Sequence, residues 1–183
     1  MFIRKSMLWL LVVLWGSPLA AQAINPAACD MEASKPVAYA AENSRDTLEV
    51  KVSGAPCSKA TVHITVTSEA GHELYTYEGE FIEHMPYLIY EPELNQLVRF
   101  YIDKVLETAI TRTTRDLPVY TNVDAYYEAN NDFVLVPLTE YEALRSVGKP
   151  VLWHITGDSS WVHSVYDEDT ETSKPIMRGG VFR

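Results

Sequence analysis

Two short runs constrain this chain more than anything else in it. Residues 46–53, DTLEVKVS, set Leu48, Val50 and Val52 against Thr47, Glu49 and Lys51. Residues 60–67, ATVHITVT, set Val62, Ile64 and Val66 against Thr61, His63, Thr65 and Thr67. A period of two carried by β-branched residues specifies strands with one buried and one wet face. The SGAPCS between them is a turn cluster, so the two runs pair as antiparallel neighbours. HELYTYEGEF (72–81) reads as a third strand, and PVAYAAEN (36–43) is expected to form one before them. An antiparallel meander is the simplest arrangement.

The period then changes. EPELNQLVRFYIDKVLETAI (91–110) places Leu94, Leu97, Val98, Tyr101, Ile102, Val105 and Ala109 on one helical stripe, with Asn95, Arg99, Asp103 and Glu107 opposite. A shorter helix has its stripe at Tyr141, Leu144 and Val147. Thr139 and Glu142 have capping-box spacing at its start, and Gly148 stands at its end. PVLWHIT, SWVHSVYD and SKPIMRGGVF return to strands. The expected fold class is therefore α+β: an antiparallel β-sheet or meander with one long amphipathic helix and one short helix packed against it. Residues 111–131 carry no clear period. Loops of that length are uncommon in compact domains and are often functional, and this one holds Tyr120, Tyr126 and Tyr127.

The first 23 residues read as a secretory signal peptide. Arg4 and Lys5 precede an uncharged run from Met7 to Trp15, and Ala21-Gln22-Ala23 supplies the small-x-small cleavage pattern. Removing 23 of 183 residues leaves 160, enough for a single globular domain spanning 24–183 with its own core. No later stretch is long and apolar enough to cross a bilayer, so no stable membrane insertion is expected after cleavage. Export to an oxidising compartment makes Cys29 and Cys57, the only cysteines, a disulfide pair. Their spacing matches neither a zinc ribbon nor a Cys-x-x-Cys redox motif. Net charge is −10, and losing the two positive charges of the leader leaves −12. Such a surface repels phosphate backbones, which argues against nucleic acid as a partner.

Catalytic patterns are scarce. The chain has no Gly-x-Ser-x-Gly elbow, phosphate loop or His-Glu-x-x-His helix. Gly157-Asp158-Ser159 resembles the nucleophile block of GDSL-type esterases. It comes late in the chain, before a strand, and the family's Asp-x-x-His pair is missing. A hairpin turn explains the same residues. Glu78, Glu80 and Glu83 offer paired carboxylates, and Asp167, Asp169 and Glu171 alternate as calcium ligands do, but without the glycine and terminal glutamate of a calcium loop. No cofactor is implied.

The stretch VLWHITGDSSWVHSVYD (151–167) is the most informative for a site. If residues 157–160 form the turn, His154 stands directly across from His163, Thr156 from Trp161 and Leu152 from Val165. The histidines would share the less buried face, close enough to hold one metal ion with a further ligand from elsewhere, or to couple their titration. Trp161 and the three tyrosines of 111–131 complete the candidate binding residues. The function expected is an exported, periplasmic or secreted binding protein of the cell envelope, with an unknown protein or glycan as ligand. The alternative is a small metal- or carboxylate-dependent hydrolase, and a third possibility is assembly through a strand edge.

Overall fold

The computed structural model describes residues 28–84, 94–119, 133–157 and 160–180. The leader and Tyr120, Tyr126 and Tyr127 lie outside them. The meander forms as its alternation requires. Strands β1 (Cys29–Val37), β2 (Asp46–Gly54), β3 (Thr61–Thr67) and β4 (Glu73–Glu80) make an antiparallel sheet in sequence order. Leu48, Val50, Val52, Val62, Ile64 and Val66 are all fully buried on one face. The other face is wet, and a row of polar and charged side chains crosses it: Glu32 beside Lys51 at 3.3 Å and His63 beside Glu78 at 3.7 Å. Exposed pairs of this kind add little stability.

The first strand is Cys29–Val37, not 36–43. A buried carboxylate accounts for the difference. Asp46 Oδ2 accepts from Tyr39 N at 3.0 Å, Ala40 N at 2.8 Å and Ser44 Oγ at 2.6 Å. This ties residues 39–44 into a connection instead of a ladder. Cys29 at the start of β1 is bonded to Cys57 in the 3-10 turn after β2, with Cα atoms 4.9 Å apart. The single turn α1 (Phe81–His84) follows β4.

The long helix α2 (Leu94–Thr108) lies across β1 and β2. Val98, Tyr101, Ile102 and Val105 of the expected stripe are buried, Leu94 and Leu97 at its start are only half-buried, and Arg99, Asp103 and Glu107 are exposed. The short helix α3 (Leu138–Val147) begins two residues before the capping-box reading places it. Pro137 stands at the N-cap and no side chain caps it. Glu142 instead pairs with Arg145 at 2.8 Å. Gly148 ends the helix at φ 80°, in the left-handed region that glycine adopts at little cost.

A second antiparallel sheet holds β5 (Arg112–Thr113), β6 (Pro150–Gly157), β7 (Ser160–Asp167) and β8 (Thr172–Gly179) in that order. Among the described residues the chain is thus α+β with two four-stranded sheets. One face of the second sheet meets β4, α1 and α2. The other packs Val151, Val165, Ile176 and Met177 against Tyr141, Val134, Val136 and Leu117. Residues 111–119, read from sequence as irregular, form β5 and a 3-10 turn, Thr114–Asp116.

Candidate functional site

The β6–β7 hairpin turns where the sequence says, with Gly157 opposite Ser160, but the register then slips by one between Ile155 and Gly157. Beyond that bulge Trp153 faces His163, and His154 faces Val162. A one-residue slip sends every later side chain to the other face. His154 and His163 therefore lie on opposite sides of the sheet and cannot share one ion, which corrects the paired-histidine metal site and the coupled titration. Both are also core residues, with 1% and 6% exposure, not a half-wet pair. Among the described residues no group of three His, Cys, Asp or Glu side chains is placed to hold a metal.

His154 sits between the sheets in a saturated network. Its Nδ1 lies 2.8 Å from the Ile155 carbonyl, which can only accept, so Nδ1 carries the proton. Nε2 is then free to accept from the Tyr75 hydroxyl. His84 follows the same accounting. Tyr77 donates to the Thr156 carbonyl at 2.9 Å, so it accepts from His84 Nε2 at 3.2 Å, and Tyr101 donates to His84 Nδ1 at 3.2 Å. Both rings are held neutral, with pKa values lowered to about 4, chiefly by burial. Burial likewise raises the Tyr77 hydroxyl to about 12. This cluster bonds β4, α1, α2 and β6 together and leaves no ring nitrogen over for a ligand.

His163 is different. Both of its ring nitrogens are buried and neither has a hydrogen-bond partner. A buried polar group left unmatched costs about 1 to 3 kcal/mol, so this ring demands an explanation. It lines a cavity of about 530 Å³, whose walls include Trp153, Trp161, Phe133, Met177, Arg112 and Asp116. Burial first, then the positive Arg112, lowers its pKa to about 4. It is thus a neutral imidazole, one donor and one acceptor.

Each wall has a local cause. Trp161 stands opposite Gly179 in the β7–β8 ladder, and a Cβ on that glycine would overlap the indole. The missing side chain lets the ring lie on the β8 backbone, 4.8 Å from the His163 ring and 5.8 Å from Phe133. Trp153 N donates to the Ala109 carbonyl at 2.7 Å, fixing β6 to the end of α2. Asp116 Oδ2 accepts from Thr113 N at 2.8 Å and Oγ1 at 3.0 Å, which holds its carboxyl below the usual range. Helix α3 secures that rim: Tyr141 donates to the Pro118 carbonyl at 3.0 Å and Arg145 Nε to the Leu117 carbonyl at 3.0 Å.

Of the residues singled out from sequence, the structure brings His163 and Trp161 together, sets His154 apart, and leaves Tyr120, Tyr126 and Tyr127 outside the described residues. Trp153, Arg112, Asp116, Phe133 and Met177 were missed as site residues. None of these carries a signal in the sequence: Trp153 reaches the His163 side only through the bulge between Ile155 and Gly157. Glu78 and Glu80 lie on the wet face of the first sheet, and Asp167, Asp169 and Glu171 in or beside the β7–β8 turn. No known family model matches the sequence, and no curated protein or solved structure is significantly similar to it.

Proposed function

We propose that this protein is exported to the periplasm or the exterior and binds a sugar ring of an envelope or extracellular glycan in the cavity walled by Trp153, Trp161 and His163. The observation that carries the reading is a buried, partnerless imidazole in the wall of a cavity that also presents two indoles. Indole faces stack on the C–H face of a sugar. The neutral His163 ring carries a donor and an acceptor that touch no solvent in the free protein, so a small shift of the wall as the ligand enters would bring them to ring hydroxyls, and Arg112, Asp116, Thr108 and Thr111 supply further polar contacts at the walls. A hydroxyl against His163 would give the ring the partner it lacks, at a site that is otherwise mostly apolar. The disulfide and the leader-like first 23 residues support export.

A glycan array probed with the purified mature protein tests the reading, with His163→Leu beside it. A saccharide signal lost in the folded variant is expected. Failure of the wild type to bind any saccharide, or equal binding by the variant, would overturn it.

A further inference from the structure

A second, smaller chamber adjoins the cavity. It measures about 270 Å³ and shares Thr108 and Trp153 with the first as lining residues. Its remaining walls are Phe100, Tyr101, Lys104 and Val105 of α2, Ile155 and His154 of β6, and His84. The lining is almost wholly apolar in effect, because its polar rings are already occupied. His84 bonds Tyr77 and Tyr101, and His154 bonds Tyr75 and the Ile155 carbonyl. Phe100, 58% exposed, stands at its edge, an unusual place for so large an apolar side chain to remain in contact with water. A dry apolar cavity of about 150 Å³ already admits benzene, so this chamber accepts several methylenes.

The two chambers therefore differ in chemistry and share a wall. One has an unmatched imidazole, charged groups and indoles; the other has no buried polar side-chain atom without a partner among its described lining residues. We infer that the ligand is an amphiphile, a sugar headgroup bearing an alkyl chain, with the sugar at His163 and the chain passing Trp153 into the space between α2 and β6. This rests on the sugar-binding reading above and adds the tail to it. Lys104, which also lines the apolar chamber, has its ammonium hydrogen-bonded to Glu107 at 2.7 Å. A tail that ends there meets no unpaired charge.

The test is a chain-length series of alkyl β-D-glucosides, methyl through octyl, each below its micellar concentration, titrated into the mature protein by calorimetry. Trp153 and Trp161 are the only tryptophans after residue 23, so their fluorescence gives a second readout. Affinity is expected to rise roughly tenfold for every two methylenes buried, then level off when the chamber is full. Phe100→Asp, a change at an exposed position, is expected to abolish the gain from the tail and leave methyl glucoside unaffected. Equal affinity of methyl and octyl glucoside would overturn the tail while leaving the sugar reading standing. Octanol binding as tightly as octyl glucoside, with methyl glucoside not binding at all, would overturn the sugar reading and with it the amphiphile. An octyl gain that survives Phe100→Asp would place the tail elsewhere and refute the inference.

Discussion

His163→Leu separates stability from function in a way few substitutions do. The wild-type ring buries two nitrogens without a partner, both sealed from water. Leaving such a group unmatched costs about 1 to 3 kcal/mol, and replacing it with an apolar side chain of similar reach removes the cost. Leucine does not reproduce the flat ring beside Trp161, so part of the gain is lost to poorer packing. A net stabilisation of about 1 to 2 kcal/mol is expected at pH 7.5, a rise in Tm of about 2 to 8 °C for a domain of this size. The control is His154→Leu. That ring is matched at both nitrogens, so its removal strands the Tyr75 hydroxyl and the Ile155 carbonyl and should destabilise by about 2 to 4 kcal/mol. Urea unfolding followed by circular dichroism measures both. If His163→Leu is destabilised as much as His154→Leu, the ring is serving the fold and the reasoning from its missing partner is wrong.

Acid should weaken the native state earlier than carboxylate titration alone would bring about. His84 and His154 have folded pKa values near 4, below the unfolded value of about 6.5, so the unfolded chain takes up protons first. Their contribution is complete above about pH 6.5 and is lost as pH falls towards 4. By pH 5 each should have lost up to about 2 kcal/mol, and a flat urea midpoint between pH 7 and 5 would contradict this. Ile102→Ala, at a fully buried position on α2, should cost about 2 to 5 kcal/mol, whereas Asp103→Ala on the exposed face should change stability by less than about 0.5 kcal/mol. Similar costs for the two would mean the helix presents another face. Reduction of the Cys29–Cys57 bond, which closes a loop of 28 residues, should lower stability by about 3 to 4 kcal/mol. Thiol alkylation followed by mass spectrometry should find no reactive cysteine until reductant is added.

The parts of the fold that were legible are those where one side-chain period repeats without interruption. Strands β2 and β3 and the buried stripe of α2 follow from β-branched alternation and helical spacing, because each error of one residue would expose a row of valines or leucines. The first strand was misplaced because the contacts of Asp46 that shape residues 39–44 are tertiary, with no local pattern to announce them. The α3 capping box failed for a related reason. Thr139 and Glu142 have the right spacing, but Pro137 starts the helix two residues earlier and Glu142 finds Arg145. The site was half legible. Trp161 and His163 stood out as residue types, while their partners depended on a bulge that no alternation encodes. Arg112 and Asp116 came from a stretch with no period, held in place by β6 and α3.

The most direct measurement is NMR of the imidazole nitrogens in protein labelled with ¹⁵N-histidine, free and with octyl β-D-glucoside added below its micellar concentration. His163 is expected to change, its ring nitrogens moving as they gain a hydroxyl partner, while the hydrogen-bonded rings of His84 and His154 keep their tautomers and hold nearly still. Movement of His84 and His154 with His163 unchanged would contradict the assignment of the sugar site to the second sheet, and so would no change in any of the three.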